Sequence, residues 1–194
     1  MISNCRMIST QLRPVRGVVL PKAVVRGHPN PLHLKLAARL RAARKRANIS
    51  PSRLALDAGL SDGVVRHIED AGGIPGLLTV QRLASLLGIS AAWLAYGPPS
   101  PRVKHPPELS AALVTFAERL TAARMLRGLS RKALSKAADL SLTAVSGLES
   151  GQIPNVATAE RLAQALKVSP GWLAFGADPS DVTQTISRLL HLER

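Results

Sequence analysis

The side chains available for chemistry in this sequence are cations rather than catalysts. Its five histidines, His28, His33, His67, His105 and His191, are scattered, and the single cysteine, Cys5, has no obvious base beside it. No His-Glu-x-x-His, Cys-x-x-Cys, Gly-x-Gly-x-x-Gly or phosphate loop occurs. The spacings that metal, thiol or nucleotide chemistry requires are therefore missing. The expectation is a protein that is no enzyme and holds no metal or cofactor. What the chain does carry is positive charge: 26 Lys+Arg against 12 Asp+Glu, a net +14 over 194 residues. That balance favours a polyanionic partner. A membrane partner is set aside, because no apolar run approaches the ~20 residues of a spanning helix. Nor does any basic helix set bulky apolar residues opposite its charges.

The charge is spread along the chain. Residues 1–31 contain Arg6, Arg13, Arg16, Lys22 and Arg26 with no acid, and residues 32–97 contribute another +5. The first segment carries Pro14, Pro21, Pro29 and Pro31 and lacks helical periodicity. Val18–Leu20 and Ala23–Val25 could pair as a short hairpin, but the favoured reading is a flexible basic arm able to touch phosphates. It is no secretory signal, since Pro21 and Lys22 interrupt its apolar stretch. Residues 97–107, Gly-Pro-Pro-Ser-Pro-Arg-Val-Lys-His-Pro-Pro, have the composition of a linker. Polyproline II at ~3.1 Å per residue would make it a semi-rigid spacer of very roughly 30 Å.

The segments on either side of that linker repeat each other. Ala37-Ala38-Arg39-Leu40-Arg41-Ala42-Ala43-Arg44 aligns with Ala117-Glu118-Arg119-Leu120-Thr121-Ala122-Ala123-Arg124 at an offset of 80. The match runs through Ser50/Ser130, Leu54/Leu134, Leu60/Leu140, Ser61/Ser141 and Glu69/Glu149. After a Gly/Pro loop the offset becomes 79, and the match ends with Trp93-Leu94-Ala95-Tyr96-Gly97 against Trp172-Leu173-Ala174-Phe175-Gly176. Two copies of one fold follow. Each reads as about five short helices with no strand. Leu36, Leu40 and Ala43 mark the buried stripe of the first helix. Ser50 caps the second, with Pro51 at its first position. Gly59 suits a tight turn, and Ser61 caps a third helix running to about Asp70. Thr79 to Leu87 forms a fourth, and Ser90–Ala95 a last short one. Ser130 and Ser141 play the capping roles in the second copy. The domain plan is a basic arm over 1–31, domain 1 over 32–97, a Pro-rich linker over 98–108, domain 2 over 109–178 and an amphipathic C-terminal helix over 179–194.

A short helix, a tight turn and a second short helix framed by others is the helix-turn-helix arrangement. Arg44, Ile49, Ser50, Leu54, Ala55, Gly59, Leu60, Ser61, Val65, Ile68 and Glu69 resemble the Cro/lambda-repressor-like family of bacterial and phage regulators. So do Arg124, Leu129, Ser130, Leu134, Leu140, Ser141, Val145, Leu148, Glu149 and Gly151, with Asp139 where the family usually has Gly. The resemblance implies an all-α pair of tandem five-helix domains. It also implies internal ion pairs, Arg44 with Glu69 and Arg124 with Glu149, that tie the first helix to the third. Trp93 and Trp172 are expected as core anchors.

The resemblance further assigns the third helix of each copy to the major groove of double-stranded DNA. Its outward positions are Asp62, Gly63, Val64, Arg66 and His67 in copy 1, and Leu142, Thr143, Ala144, Ser146 and Gly147 in copy 2. Arg66 or His67 could reach guanine or phosphate, Thr143 and Ser146 could hydrogen-bond, and Leu142 and Ala144 could meet a thymine methyl. Asp62 would repel phosphate. Where the family often places a phosphate-binding Gln, Pro51 has no donor, whereas Arg131 with Lys132 can substitute. Arg41, Lys45, Arg46, Arg53 and Lys136 add non-specific affinity.

Two readings result. The first is a sequence-specific DNA-binding transcriptional regulator, acting as a covalent pseudo-dimer or with each domain paired to another subunit. The second is a fold repurposed as an anti-activator or adaptor, with a protein partner on the apolar Leu142–Thr143–Ala144 face of domain 2. The whole-chain charge favours the first. In the tail, Val182, Ile186, Leu189 and Leu190 share one face, open to packing on domain 2 or to pairing with a second chain as a homodimer. The lone Cys5 fits a reducing cytoplasm, and DNA binding would add association with the nucleoid.

Overall fold

The computed structural model describes residues 31–98 and 115–176. Most of the basic arm with its hairpin, most of the linker, and the tail helix expected over 179–194 lie outside the described residues. Within them a 3-10 turn, Leu32–Lys35, precedes α1 (Leu36–Arg46), α2 (Pro51–Asp57), α3 (Val64–Asp70), α4 (Leu77–Leu86) and α5 (Ala91–Tyr96). The second set is α6 (Phe116–Leu126), α7 (Arg131–Ala137), α8 (Leu142–Glu149), α9 (Val156–Leu166) and α10 (Pro170–Phe175). The architecture is all-α, two helix-turn-helix domains in tandem.

Short polar caps set these short helices. Ser50 Oγ accepts from Arg53 N, and Pro51 occupies the first turn of α2, where a missing N–H costs nothing. Ser130 and Ser141 cap α7 and α8 by accepting from Ala133 N and Ala144 N. Ser61 departs from the expectation: α3 begins only at Val64, its N-cap is Gly63, and no side chain caps it. The reason lies at one position. Gly63 stands where the second copy has Thr143, and glycine disfavours a helical first turn by ~1 kcal/mol. The fourth helix begins at Leu77, two residues before Thr79. In α1 the buried stripe is Leu36, Leu40 and Arg44, with Ala43 half-buried.

Each domain closes around leucines, among them Leu40, Leu54, Leu83 and Leu94 in the first and Leu120, Leu134, Leu162 and Leu173 in the second. Trp172 is buried in the core, whereas its counterpart Trp93 is half-buried against it. Arg39 and Arg119 pin the first helix to the last in each copy. Arg39 Nε donates to Leu94 O at 2.8 Å, and Arg119 Nε to Leu173 O at 2.9 Å. These bonds occupy carbonyls at helix C-termini, which lack intrahelical partners.

The two domains meet each other through equivalent parts. Leu77 N donates to Pro154 O at 3.2 Å, and Val156 N donates to Pro75 O at 3.1 Å, forming an antiparallel bridge between Gly76 and Asn155. The two bonds exchange into each other under the 79-residue repeat. The last helices, α5 and α10, pack together, and the rings of Tyr96 and Phe175 sit 6.3 Å apart, centroid to centroid. A patch that contacts its own counterpart is isologous, the signature of a two-fold axis. Two contacts break the symmetry. Tyr96 Oη donates to Val156 O at 3.1 Å, which Phe175 cannot reciprocate. Glu160, only 2% exposed, accepts from Leu32 N at 2.7 Å and His33 N at 3.1 Å, and lies 2.6 Å from His33 Nδ1. A carboxylate of domain 2 thereby caps the first turn of domain 1, whose own Pro31 offers no cap.

Asp139 carries φ +51, where the first copy has Gly59 at φ +64. A left-handed backbone costs a side chain more than glycine. Asp139→Gly is expected to raise the unfolding free energy by about 0.5–1 kcal/mol, measured by urea denaturation.

Candidate nucleic-acid interface

The recognition candidates are α3 and α8, and an ion pair fixes each against its domain, buried in the first copy and half-buried in the second. Arg44 Nε donates to Glu69 Oε1 and its Nη2 to Oε2, both at 2.8 Å, while Nη1 donates to Ile49 O at 2.8 Å. In the second copy Arg124 Nε donates to Glu149 Oε1 at 2.5 Å, Nη2 to Oε2 at 3.3 Å, and Nη1 to Leu129 O at 2.9 Å. One arginine thus holds the last turn of the third helix and the loop before the second. The fork geometry of guanidinium on carboxylate sets the helix angle as well as the distance. The Glu69 hydrogen bond holds the Arg44 guanidinium even more firmly protonated than usual, despite burial. Burial pushes the Glu149 carboxyl up, but the hydrogen bonds from Arg124 and Arg131 outweigh it and hold the group below its ordinary value.

The outward residues are not equally free. Arg66 is exposed and donates to Ser52 Oγ at 3.1 Å, which lays it along α2. His67 is exposed but folds over the loop after α3: a Cβ on Gly73 would stand 2.3 Å from its ring. Asp62 is exposed in the turn before α3, outside the helix. Arg53 pairs with Asp57 at 2.9 Å, and Arg41 with Asp70 at 2.5 Å. On α8, Leu142 is 48% exposed, Thr143 is exposed with its Oγ1 2.9 Å from Ser141 Oγ, and Ser146 is half-buried. Arg131 reaches back to Glu149 Oε2 at 2.5 Å. Among the described residues, Lys45, Arg46, Lys132 and Lys136 are exposed and have no carboxylate partner.

The two helix-turn-helix units therefore differ in charge. Residues 50–70 set Arg53 and Arg66 against Asp57, Asp62, Glu69 and Asp70. Residues 130–150 set Arg131, Lys132 and Lys136 against Asp139 and Glu149. Arg44 and Arg41 of α1 offset Glu69 and Asp70 and leave the first unit near neutral, whereas Lys132 and Lys136 leave the second positive and the more attractive to phosphate.

The helix-turn-helix family model HTH_3 matches residues 40–94 and 120–173, more than half of the chain. The chain belongs to the Cro/lambda-repressor-like helix-turn-helix family. No solved structure matches it. This is a family of DNA-binding transcription regulators and not of enzymes. Among the described residues no helix is long and apolar enough to cross a membrane.

Sequence reasoning missed Arg39 and Arg119 as structural ties, although their recurrence at the 80-residue offset was a usable signal. Burial lowers the pKa of both. It also missed Glu160, whose counterpart in the first copy is the exposed Gln81. A cap reaching from one domain to the other leaves no local pattern.

Two outcomes follow from the ion pairs. Arg44→Ala leaves a buried carboxylate unpaired and is expected to cost about 3 kcal/mol of stability, measured by urea denaturation. Glu149 has a folded-state pKa below its unfolded value of 4.5. Its contribution to stability is present above that value and is lost as pH falls through the lower folded one. The stability difference between the native chain and Glu149→Gln should therefore shrink below about pH 4.5. A difference unchanged between neutral and strongly acid pH would contradict the assignment.

Proposed function

We propose that this chain is a sequence-specific regulator of transcription that uses both helix-turn-helix domains on duplex DNA. The observation that carries the reading is the pair of recognition helices, each locked by an Arg–Glu fork, in a chain of net +14. In this reading α8 reads bases with Thr143, Ser146 and the Leu142 side chain. Lys132, Lys136, Lys45 and Arg46 hold phosphates, with Arg131 as a further contact if it releases Glu149. In domain 1, Arg66 and His67 contribute after leaving Ser52 and the Gly73 loop, and Asp62 and Arg53 border that contact. DNA would hold such a protein at the nucleoid in the cytoplasm.

A second reading rests on Leu142, 48% exposed at the start of α8: that face would dock a protein, and the charge would only solvate the chain. Selection from a random duplex pool, followed by anisotropy on the enriched and scrambled duplexes across a salt series, separates the two. Regulation predicts binding to both that weakens steeply with salt, tighter on the enriched duplex. Binding to neither at moderate salt would overturn the DNA reading. Lys132→Ala should weaken both complexes and make the logarithmic salt slope shallower by about one. Thr143→Ala should weaken the enriched complex alone.

A further inference from the structure

We infer that one chain is a complete two-block DNA reader, with a non-palindromic target that it binds as a monomer. The inference rests on the DNA reading above and deepens it by naming the form of the target. Its ground is the contact between domains. The reciprocal bonds Leu77 N to Pro154 O and Val156 N to Pro75 O place a pseudo-two-fold axis at the Gly76–Asn155 bridge. The Tyr96–Phe175 ring contact also joins equivalent residues. The equivalent surfaces of the two domains are thus occupied by each other within one chain.

The recognition helices emerge from that same bridge. Six residues lead from Asp70, the end of α3, to Gly76, and six from Glu149, the end of α8, to Asn155. A chain of that length reaches at most about 20 Å. The two helix ends therefore lie within roughly 45 Å of each other once the width of the bridge is added. That range includes the ~34 Å between adjacent major-groove faces of one duplex. A two-fold relation turns the helices in opposite senses, so each block is read in inverted orientation.

The blocks nonetheless differ in sequence, because the readers differ. Arg66 and His67 stand on α3, with Asp62 just before it, whereas α8 presents Leu142, Thr143 and Ser146. The domains cannot exchange roles either. Tyr96 Oη and Glu160 each bond across the interface in one direction only.

The test uses the full chain and the duplex enriched from a random pool. Native mass spectrometry should give one chain per duplex. The enriched sequence should hold two unlike blocks one turn apart. Replacing either block by the inverted copy of the other should weaken binding about tenfold or more, the cost of one or two mismatched pairs. Thr143→Ala should relax the preference in one block only. A palindromic sequence bound by two chains would overturn the inference while leaving the DNA reading intact, and a single block would overturn both the inference and the use of both domains. Failure to enrich any sequence would overturn both.

Discussion

The arrangement of this molecule depends on an isologous contact made inside one chain. Two peptide groups, Leu77 N to Pro154 O and Val156 N to Pro75 O, trade hydrogen bonds across a pseudo-axis, and α5 packs on α10 beside them. Neither bond is worth more than about 1 kcal/mol net. Their importance is geometric, since buried amides and carbonyls need partners and here find them only when the domains are aligned. Glu160 adds a charged cap that reaches the first turn of the other domain. Where the recognition helices sit relative to each other follows from this contact.

Within each domain the equivalent constraint is the arginine fork. Arg44 and Arg124 each bridge a carboxylate on the third helix and a carbonyl before the second. A buried pair of this kind adds little net stability over a well-packed apolar pair, but it penalises any other arrangement of the helices. The same carboxylate has a second use in domain 2, where Glu149 also holds Arg131. The duplication has thus kept the frame while the outward faces diverged. Gly63 shortens α3, Thr143 lets α8 begin at its serine cap, and among the described residues only the second unit carries unpaired lysines, Lys132 and Lys136.

Much of this was legible in the sequence because it is local or repeated. The caps Ser50, Ser130 and Ser141, the turn at Gly59 and both Arg–Glu pairs sit at spacings that the chain writes twice. The start of α3 was misread, since Ser61 looks like Ser141 until the glycine two residues on is weighed. Less still could be read of the surface. That Arg53, Arg66 and Arg131 lie along neighbouring polar groups, and that His67 covers Gly73, depends on side-chain placement that no spacing encodes. The interface between domains was legible only as the existence of two copies, because its partners lie 60 to 128 positions apart.

Hydroxyl-radical footprinting of the full chain on a duplex that it binds specifically tests the central claim most directly. Two protected patches are expected on one face of the duplex, a helical turn apart, appearing together as chain is added. Two patches that fill at different concentrations, or one patch alone, would contradict a pair of recognition helices fixed by a contact within the chain.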